Sequence, residues 1–112
     1  MRSMFHPPIE TVRLEAILHA LSDPVRVQIF SEIAGADCAV ACQAFTSVND
    51  QPIPKSTLSQ HFKVLREAGL VRSERQGVEM RNTSRCIEID GRFPGLVAAI
   101  ITAHAIEAKR AA

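Results

Sequence analysis

Downstream of Pro54, apolar positions recur at Leu58, Phe62 and Leu65, a spacing of i, i+4 and i+7 that brings them within about 60° of one another on a helical wheel. This pattern predicts a helix with one core-facing stripe. Ser56 serves as its N-cap, because the side-chain oxygen can accept a hydrogen bond from a backbone N–H one turn in. The helix stops near Ala68, where Gly69 can take positive φ at little cost and Leu70 can fold back onto the stripe. The opposite face carries Ser56, Gln60, Lys63 and Glu67, flanked by Thr57, Ser59 and His61. Short or flexible hydrogen-bonding groups of this kind suit base edges and phosphates, unlike the Glu/Lys lattice of an ordinary solvated helix.

Beyond Gly69, Leu70–Gln76 and Met80–Ile87 each alternate roughly in polarity, and Gln76-Gly77-Val78-Glu79 between them reads as a turn that Gly77 permits. A hairpin is therefore expected, lined by Arg72, Arg75, Arg81 and Arg85. Alone, it is equally an exposed edge hairpin kept soluble by charge. Placed directly after the polar-faced helix, it is positioned to reach phosphates or a minor groove. The order of parts is that of a winged helix-turn-helix, mainly α with a two-stranded β wing, with about five helices and one β-hairpin.

Upstream, Asp23 can cap a helix with Pro24 in its first position and Val25, Ile29 and Ile33 on its inner face. Arg26 in its first turn reads as a structural ion pair or solvated charge, with a phosphate contact as the alternative. Helices are also expected over Glu10–Leu21, with Val12, Ala16, Ile17, Ala20 and Leu21 on one face, and over Pro94–Ala108. The latter offers Leu96, Val97, Ile100, Ile101, Ala103 and Ile106, more apolar surface than one core contact requires. Asp37 can cap a short helix over Cys38–Phe45, and Thr46–Lys55 (TSVNDQPIPK) reads as a loop passing over or beside the polar-faced helix, stiffened by Pro52 and Pro54.

The net charge of +1 conceals a segregation that bears on the partner. Residues 1–54 carry three Lys/Arg and six Asp/Glu, residues 55–85 seven and three, and residues 86–112 three of each. Basic charge thus gathers on the proposed reading unit. With 112 residues and 46% apolar content the chain can bury one modest core. No apolar run approaches the roughly 20 residues that span a bilayer, and no cationic segment leads into an apolar one at the N-terminus, so a cytoplasmic protein without a membrane role is expected. The domain is expected over residues 9–107, between a flexible arm (1–8) and a fraying tail (108–112).

Two blocks give the chain a family likeness. Leu18–Ile33, LHALSDPVRVQIFSEI, and Ser56–Arg72, STLSQHFKVLREAGLVR, resemble the opening signature and the recognition helix of the ArsR (arsenic-repressor-like) winged-helix regulators of bacteria. The likeness extends over roughly residues 9–105. It implies a homodimer paired through its first and last helices, a roughly palindromic double-stranded operator with half-sites about 34 Å apart, and a repressor released by an unidentified signal. Phosphates would be met by Lys55, Lys63, Arg72, Arg75, Arg81 and Arg85. Bases would be read by Ser56, Thr57, Ser59, Gln60 and His61.

Candidate chemistry beyond DNA is thin. Cys38 and Cys42 stand at i and i+4 and could share a thiophilic ion or be oxidised together, with Cys86 elsewhere, but small buried cysteines explain them equally. Arsenic-responsive relatives separate the two by a single residue, where this chain has Ala39-Val40-Ala41. The family's last-helix metal position would fall on Asp90, His104 and Glu107, yet Arg92 stands where a further histidine is wanted. His6 and His19 lack ligand-spaced partners and suit surface or helix-terminal roles. Neither a cofactor nor an enzyme is expected: no histidine and orienting group accompany the cysteines, and no Gly-rich phosphate loop occurs. The alternatives to a plain regulator are a winged-helix protein-interaction module and a thiol-based metalloid or redox sensor of the same build.

Overall fold

The computed structural model describes residues 4–35, 40–41, 47–48 and 51–111. Its frame is set by two helices whose ends are chemically fixed. Helix α2 (Pro24–Ala34) starts where Asp23 Oδ1 accepts the N–H groups of Val25 at 2.8 Å and Arg26 at 3.2 Å, with Pro24 in the first turn, as the sequence predicts. Such a cap stabilises a helix by about 1 kcal/mol. Ile29, Phe30 and Ile33 are buried on its inner face. Helix α3 (Lys55–Glu67) buries the predicted stripe of Leu58, Phe62 and Leu65 against it. Its N-cap lies two residues earlier than expected. Pro54, with φ already at −57°, occupies the N-cap position and its carbonyl accepts the Leu58 N–H at 2.9 Å, so Ser56 lies inside the first turn and makes no capping bond.

The far end of α3 closes as a Schellman turn. The Gly69 N–H donates to the Arg66 carbonyl at 3.1 Å and the Leu70 N–H to the Leu65 carbonyl at 3.0 Å. Gly69 has φ +87°, and a Cβ placed there would stand 2.5 Å from Val12 Cγ2. The chain continues into β4 (Val71–Gln76) and β5 (Glu79–Ser84), antiparallel from Val71 opposite Ser84 to Gln76 opposite Glu79, around a tip at Gly77, φ +64°, and Val78. The wing is therefore present, but shorter than predicted on its second strand. After Ser84 the chain turns, the Arg85 N–H donates to the Leu70 carbonyl at 2.9 Å, and Cys86 and Ile87 open helix α4 (Cys86–Arg92) instead of extending the strand.

Two further pairings lie upstream. Strand β1 (Val40–Ala41) joins the sheet on β5, opposite Asn82 and Arg81, giving the order β1-β5-β4. This corrects the helix expected over Cys38–Phe45 at those two positions; its other residues lie outside the described ones. The stretch read as a loop includes a short antiparallel pair, β2 (Ser47–Val48) with β3 (Gln51–Pro52).

The N-terminal helix is also shorter than its apolar pattern suggested. A 3-10 turn (Ile9–Thr11) precedes α1 (Leu14–Ala20), and between them Val12 is extended, at φ −69° and ψ 130°. Tertiary packing overrides the local period, because Val12 sits in the core over Gly69 and its carbonyl accepts a bond from Arg92 Nε at 2.8 Å. Within the expected flexible arm, His6 accepts a bond from β4 and the Pro7 carbonyl accepts one from Arg85, while Phe5 is exposed. The last helix, α5 (Leu96–Ala111), starts two residues late, after Gly95 at φ +82°, whose N–H donates to Asp90 Oδ1 at 3.0 Å; it extends through most of the expected tail.

Substituting Gly69→Ala meets both a left-handed backbone and the Val12 side chain, whereas Gly77→Ala meets only the former, since no atom lies within 4 Å of the Cβ it would add. Urea unfolding should show a loss of about 2–4 kcal/mol for Gly69→Ala against about 1 kcal/mol for Gly77→Ala. Equal losses would mean that Val12 moves aside freely.

Candidate nucleic-acid interface

Because α3 commits Leu58, Phe62 and Leu65 to the core, its geometry leaves the other side to solvent. Lys55, Ser56, Thr57, Ser59, Gln60 and Lys63 are all exposed. His61 is half-buried, with Nδ1 at 3.4 Å from Arg26 Nη1. Arg26 itself is a strut. Its Nε donates to the Ala20 carbonyl at 2.7 Å, Nη2 reaches the His19 carbonyl at 3.4 Å, and Nη1 stands 3.8 Å from Asp23 Oδ2. The structural reading of Arg26 is the one the geometry fits, and it ties the end of α1 to α2 and to His61 of α3. His19 lies in the last turn of α1.

The four wing arginines do not form one set. Alternation along a strand places Val71, Ser73 and Arg75 on one face with Met80, Asn82 and Ser84, and Arg72, Glu74 and Gln76 on the other with Glu79, Arg81 and Thr83. Arg75 is exposed on the face turned toward α3, while Arg72 and Arg81 lie on the opposite one. There Arg81 Nη2 pairs with Glu79 at 2.9 Å and Arg72 Nη2 approaches Glu88 at 3.7 Å. Arg85 is no wing residue at all. It is 4% exposed, donates from Nη1 to the Pro7 carbonyl at 2.8 Å and from Nε to Glu88 Oε2 at 2.7 Å, and so leaves the phosphate-contact set. That hydrogen bond, with the Arg85 charge behind it, holds the Glu88 carboxyl below its ordinary range. Among the described residues, Lys55, Lys63 and Arg75 have no ion pair.

Sequence reasoning missed what holds the wing's base. Ser73 Oγ donates to Asn82 Oδ1 at 2.7 Å, both residues buried, across the register pair that joins β4 to β5. On the outer edge of β4 the Ser73 N–H donates to His6 Nε2 at 2.9 Å. His6 is therefore an acceptor clasp, with neither the surface nor the helix-end role expected of it. Burial, and after it the charges of Arg72, Arg66 and Arg85, lower its pKa below the ordinary 6.5. An imidazole can accept this bond only while neutral. Nothing in the spacing around His6 signalled a strand edge some 70 residues away.

The positions considered for metal have other duties. His104 Nε2 lies 2.8 Å from Gln28 Oε1, Asp90 accepts from the Gly95 N–H, and Arg92 serves Val12 and stacks 5.1 Å from the Phe93 ring centroid. Cys86 is half-buried and packs against the core; Cys38 and Cys42 lie outside the described residues. Among the described residues no three His, Cys, Asp or Glu side chains are grouped to hold a metal ion, and no helix is long and apolar enough to cross a membrane.

Comparison with known proteins agrees with this geometry. A family profile described as "Helix-turn-helix domain" matches residues 21–74. Among solved structures, an ArsR-like transcriptional regulator from Rhodococcus sp. RHA1 is 24% identical, with 87% of this chain and 83% of that one covered and a TM-score of 0.57. Reduced HlyU from Vibrio cholerae N16961 is also 24% identical, with 71% and 86% covered and a TM-score of 0.54. A search of curated proteins gives no match. The chain thus carries a segment similar to helix-turn-helix domains and has the winged-helix fold of the ArsR-like regulator it resembles.

With its folded pKa depressed, His6 favours the docked arm fully above pH 6.5, and that contribution is lost as pH falls through the folded value. The Ser73 amide, followed by proton–nitrogen NMR, should keep one shift above that window and move on acidification. In His6→Phe it should not titrate. A Ser73 amide indifferent to pH in the unaltered protein would contradict the clasp.

Proposed function

We propose that this protein is a sequence-specific DNA-binding transcriptional regulator, acting as a homodimeric repressor that leaves its operator on an unidentified signal. The observation that carries this reading is the division of α3: an apolar stripe locked in the core, and an outward face of Lys55, Ser56, Thr57, Ser59, Gln60 and Lys63 beside a two-stranded wing. A helix of that composition enters a major groove with short donors and acceptors aimed at base edges and with lysines at phosphates. His61, held against Arg26, stands at the margin of this face and has less freedom to reach a base. On the wing, Arg75 is the arginine best placed to meet a phosphate alongside α3; Arg72 and Arg81 would have to leave Glu88 and Glu79 to do so.

The ArsR-like regulator of Rhodococcus supports the regulatory role, and the exposed apolar residues support the dimer. Leu14 and Leu18, i and i+4 on α1, are 41% and 49% exposed, and Ile106 on α5 is 57% exposed. The face proposed from sequence was partly the wrong one, since Val12, Ile17 and Ala20 are buried within the subunit. Leu14 and Leu18 are the residues a twofold partner would cover, setting two α3 helices about one DNA turn (~34 Å) apart.

Mobility shifts on selected genomic fragments at physiological salt test the reading. Gln60→Ala should lower discrimination between cognate and random duplex by about 1–3 kcal/mol, whereas Arg75→Ala should weaken both alike and reduce the salt slope by about one. Identical loss of discrimination from the two variants would overturn the assignment of roles. Leu18→Glu should convert the dimer to a monomer in light scattering while the fold persists in circular dichroism; an unchanged mass would remove α1 from the interface.

A further inference from the structure

Between α3, the wing and the docked arm lies a groove of about 570 Å³, within the ~300–1,000 Å³ usual for small-molecule sites. Its apolar lining comes from all three elements: Leu58 and Phe62 from α3, Val78 and Met80 from the wing, Met4 from the arm. Cationic groups complete it. Lys55, Arg66 and Arg75 line the same groove, and no acidic side chain does among the described residues. Register explains the meeting of the two chemistries on the wing, since Arg75 and Met80 are direct cross-strand partners on the face turned to α3.

From this charge complementarity we propose that the groove binds an amphipathic anion, a molecule with one carboxylate or sulfonate and an apolar chain. The chain lies over Val78, Met80 and Met4, the lining residues that keep apolar surface accessible, and covering that surface drives binding; Leu58 and Phe62, buried in the core, close the groove's base. The acid group pairs with Arg66 and Arg75, neither of which has an ion pair among the described residues. A neutral chain would leave those cations unused, and a cationic amphiphile would meet repulsion. A DNA backbone is the competing occupant, but a phosphodiester chain is polar throughout and leaves the apolar surface of Val78, Met80 and Met4 uncovered.

A ligand so placed covers Lys55, Ser59 and Arg75, all exposed residues of the face assigned to DNA, so its binding would exclude duplex; this consequence rests on the function proposed above. The groove is thus a place for a release signal that acts by occlusion.

The probe is decanoate below its micellar concentration, added to the full chain carrying ¹³C-methyl methionine. Met4 and Met80 methyl resonances should shift together and saturably. Arg66→Gln/Arg75→Gln should weaken decanoate about tenfold, and Arg75→Gln alone, on an exposed strand position, about threefold. Decanol should bind both variants as it binds the parent, and decyltrimethylammonium should not saturate. No shift at either methionine, or equal shifts with the cationic amphiphile, would overturn the proposal. A protein that binds decanoate but retards no DNA would uphold the groove and overturn the DNA reading instead. If both bind, decanoate should release duplex in the parent, and release with the same potency in Arg66→Gln/Arg75→Gln would place the effect outside the groove.

Discussion

The turn at Ala68–Leu70 couples more of this molecule than any other local feature. Its two hydrogen bonds end α3, and its middle residue, Gly69, lacks the Cβ that would strike Val12. Val12 can therefore fill the space over the turn, and its carbonyl in turn receives Arg92 from α4. Leu70, the next residue, is fully buried, and its carbonyl accepts the Arg85 N–H where the second wing strand ends. Both feet of the wing and the end of α3 are consequently fastened within three residues. The angle between helix and wing follows from this fastening, and with it the shape of the surface they share.

That fastening also sorts the charge. The segment from Lys55 to Arg85 carries seven basic residues, but they are not seven exposed cations. Arg85 is drawn inside to hold the arm through the Pro7 carbonyl, and Arg72 and Arg81 are occupied by Glu88 and Glu79 on the wing's far face. Within this segment, the cations without ion pairs among the described residues stand on α3 and on the near face of the wing. Exposed ion pairs such as Arg81–Glu79 are worth little, about 0–1 kcal/mol, so they can open at modest cost, whereas Arg85 would have to leave the interior. Burial, more than sequence position, decides which arginines can serve a polyanion.

Where one chain segment determined its own structure, the sequence was legible. The α3 stripe, the Asp23-Pro24 cap, the Gly69 stop and the Gly77 tip are all local, and each appears at or within a residue of its expected place. The failures share a different cause. Val12 lies in a periodic apolar pattern yet leaves the helix, because Gly69 offers a better contact than a helical turn does. Val40–Ala41 is too short to be a strand by itself and exists as one through the edge of β5. Arg85 shares the alternating pattern of the wing but is pulled in by Pro7 and Glu88, and His6 has no local partner at all. Of the candidate site, the α3 face was readable from periodicity; the partition of the wing arginines required the register.

Register itself is held by a polar contact that an apolar pattern cannot specify. The inner face of the wing grades from Val71 in the core, through the buried Ser73–Asn82 pair, to Arg75 and Met80 at the groove. A slip of one residue would turn Val71 outward and bring Arg72 inward, and it would separate the Ser73 hydroxyl from Asn82, leaving buried polar atoms to lose about 1–3 kcal/mol each. An apolar pair at those positions would pack as well but would tolerate sliding more readily, because dispersion is not directional. The His6 clasp adds a second constraint by satisfying an N–H on the open edge of β4, where unpaired groups otherwise invite another strand. Two hydrogen bonds at Ser73 thereby determine which side chains the wing turns toward α3, and so what that shared surface can recognise.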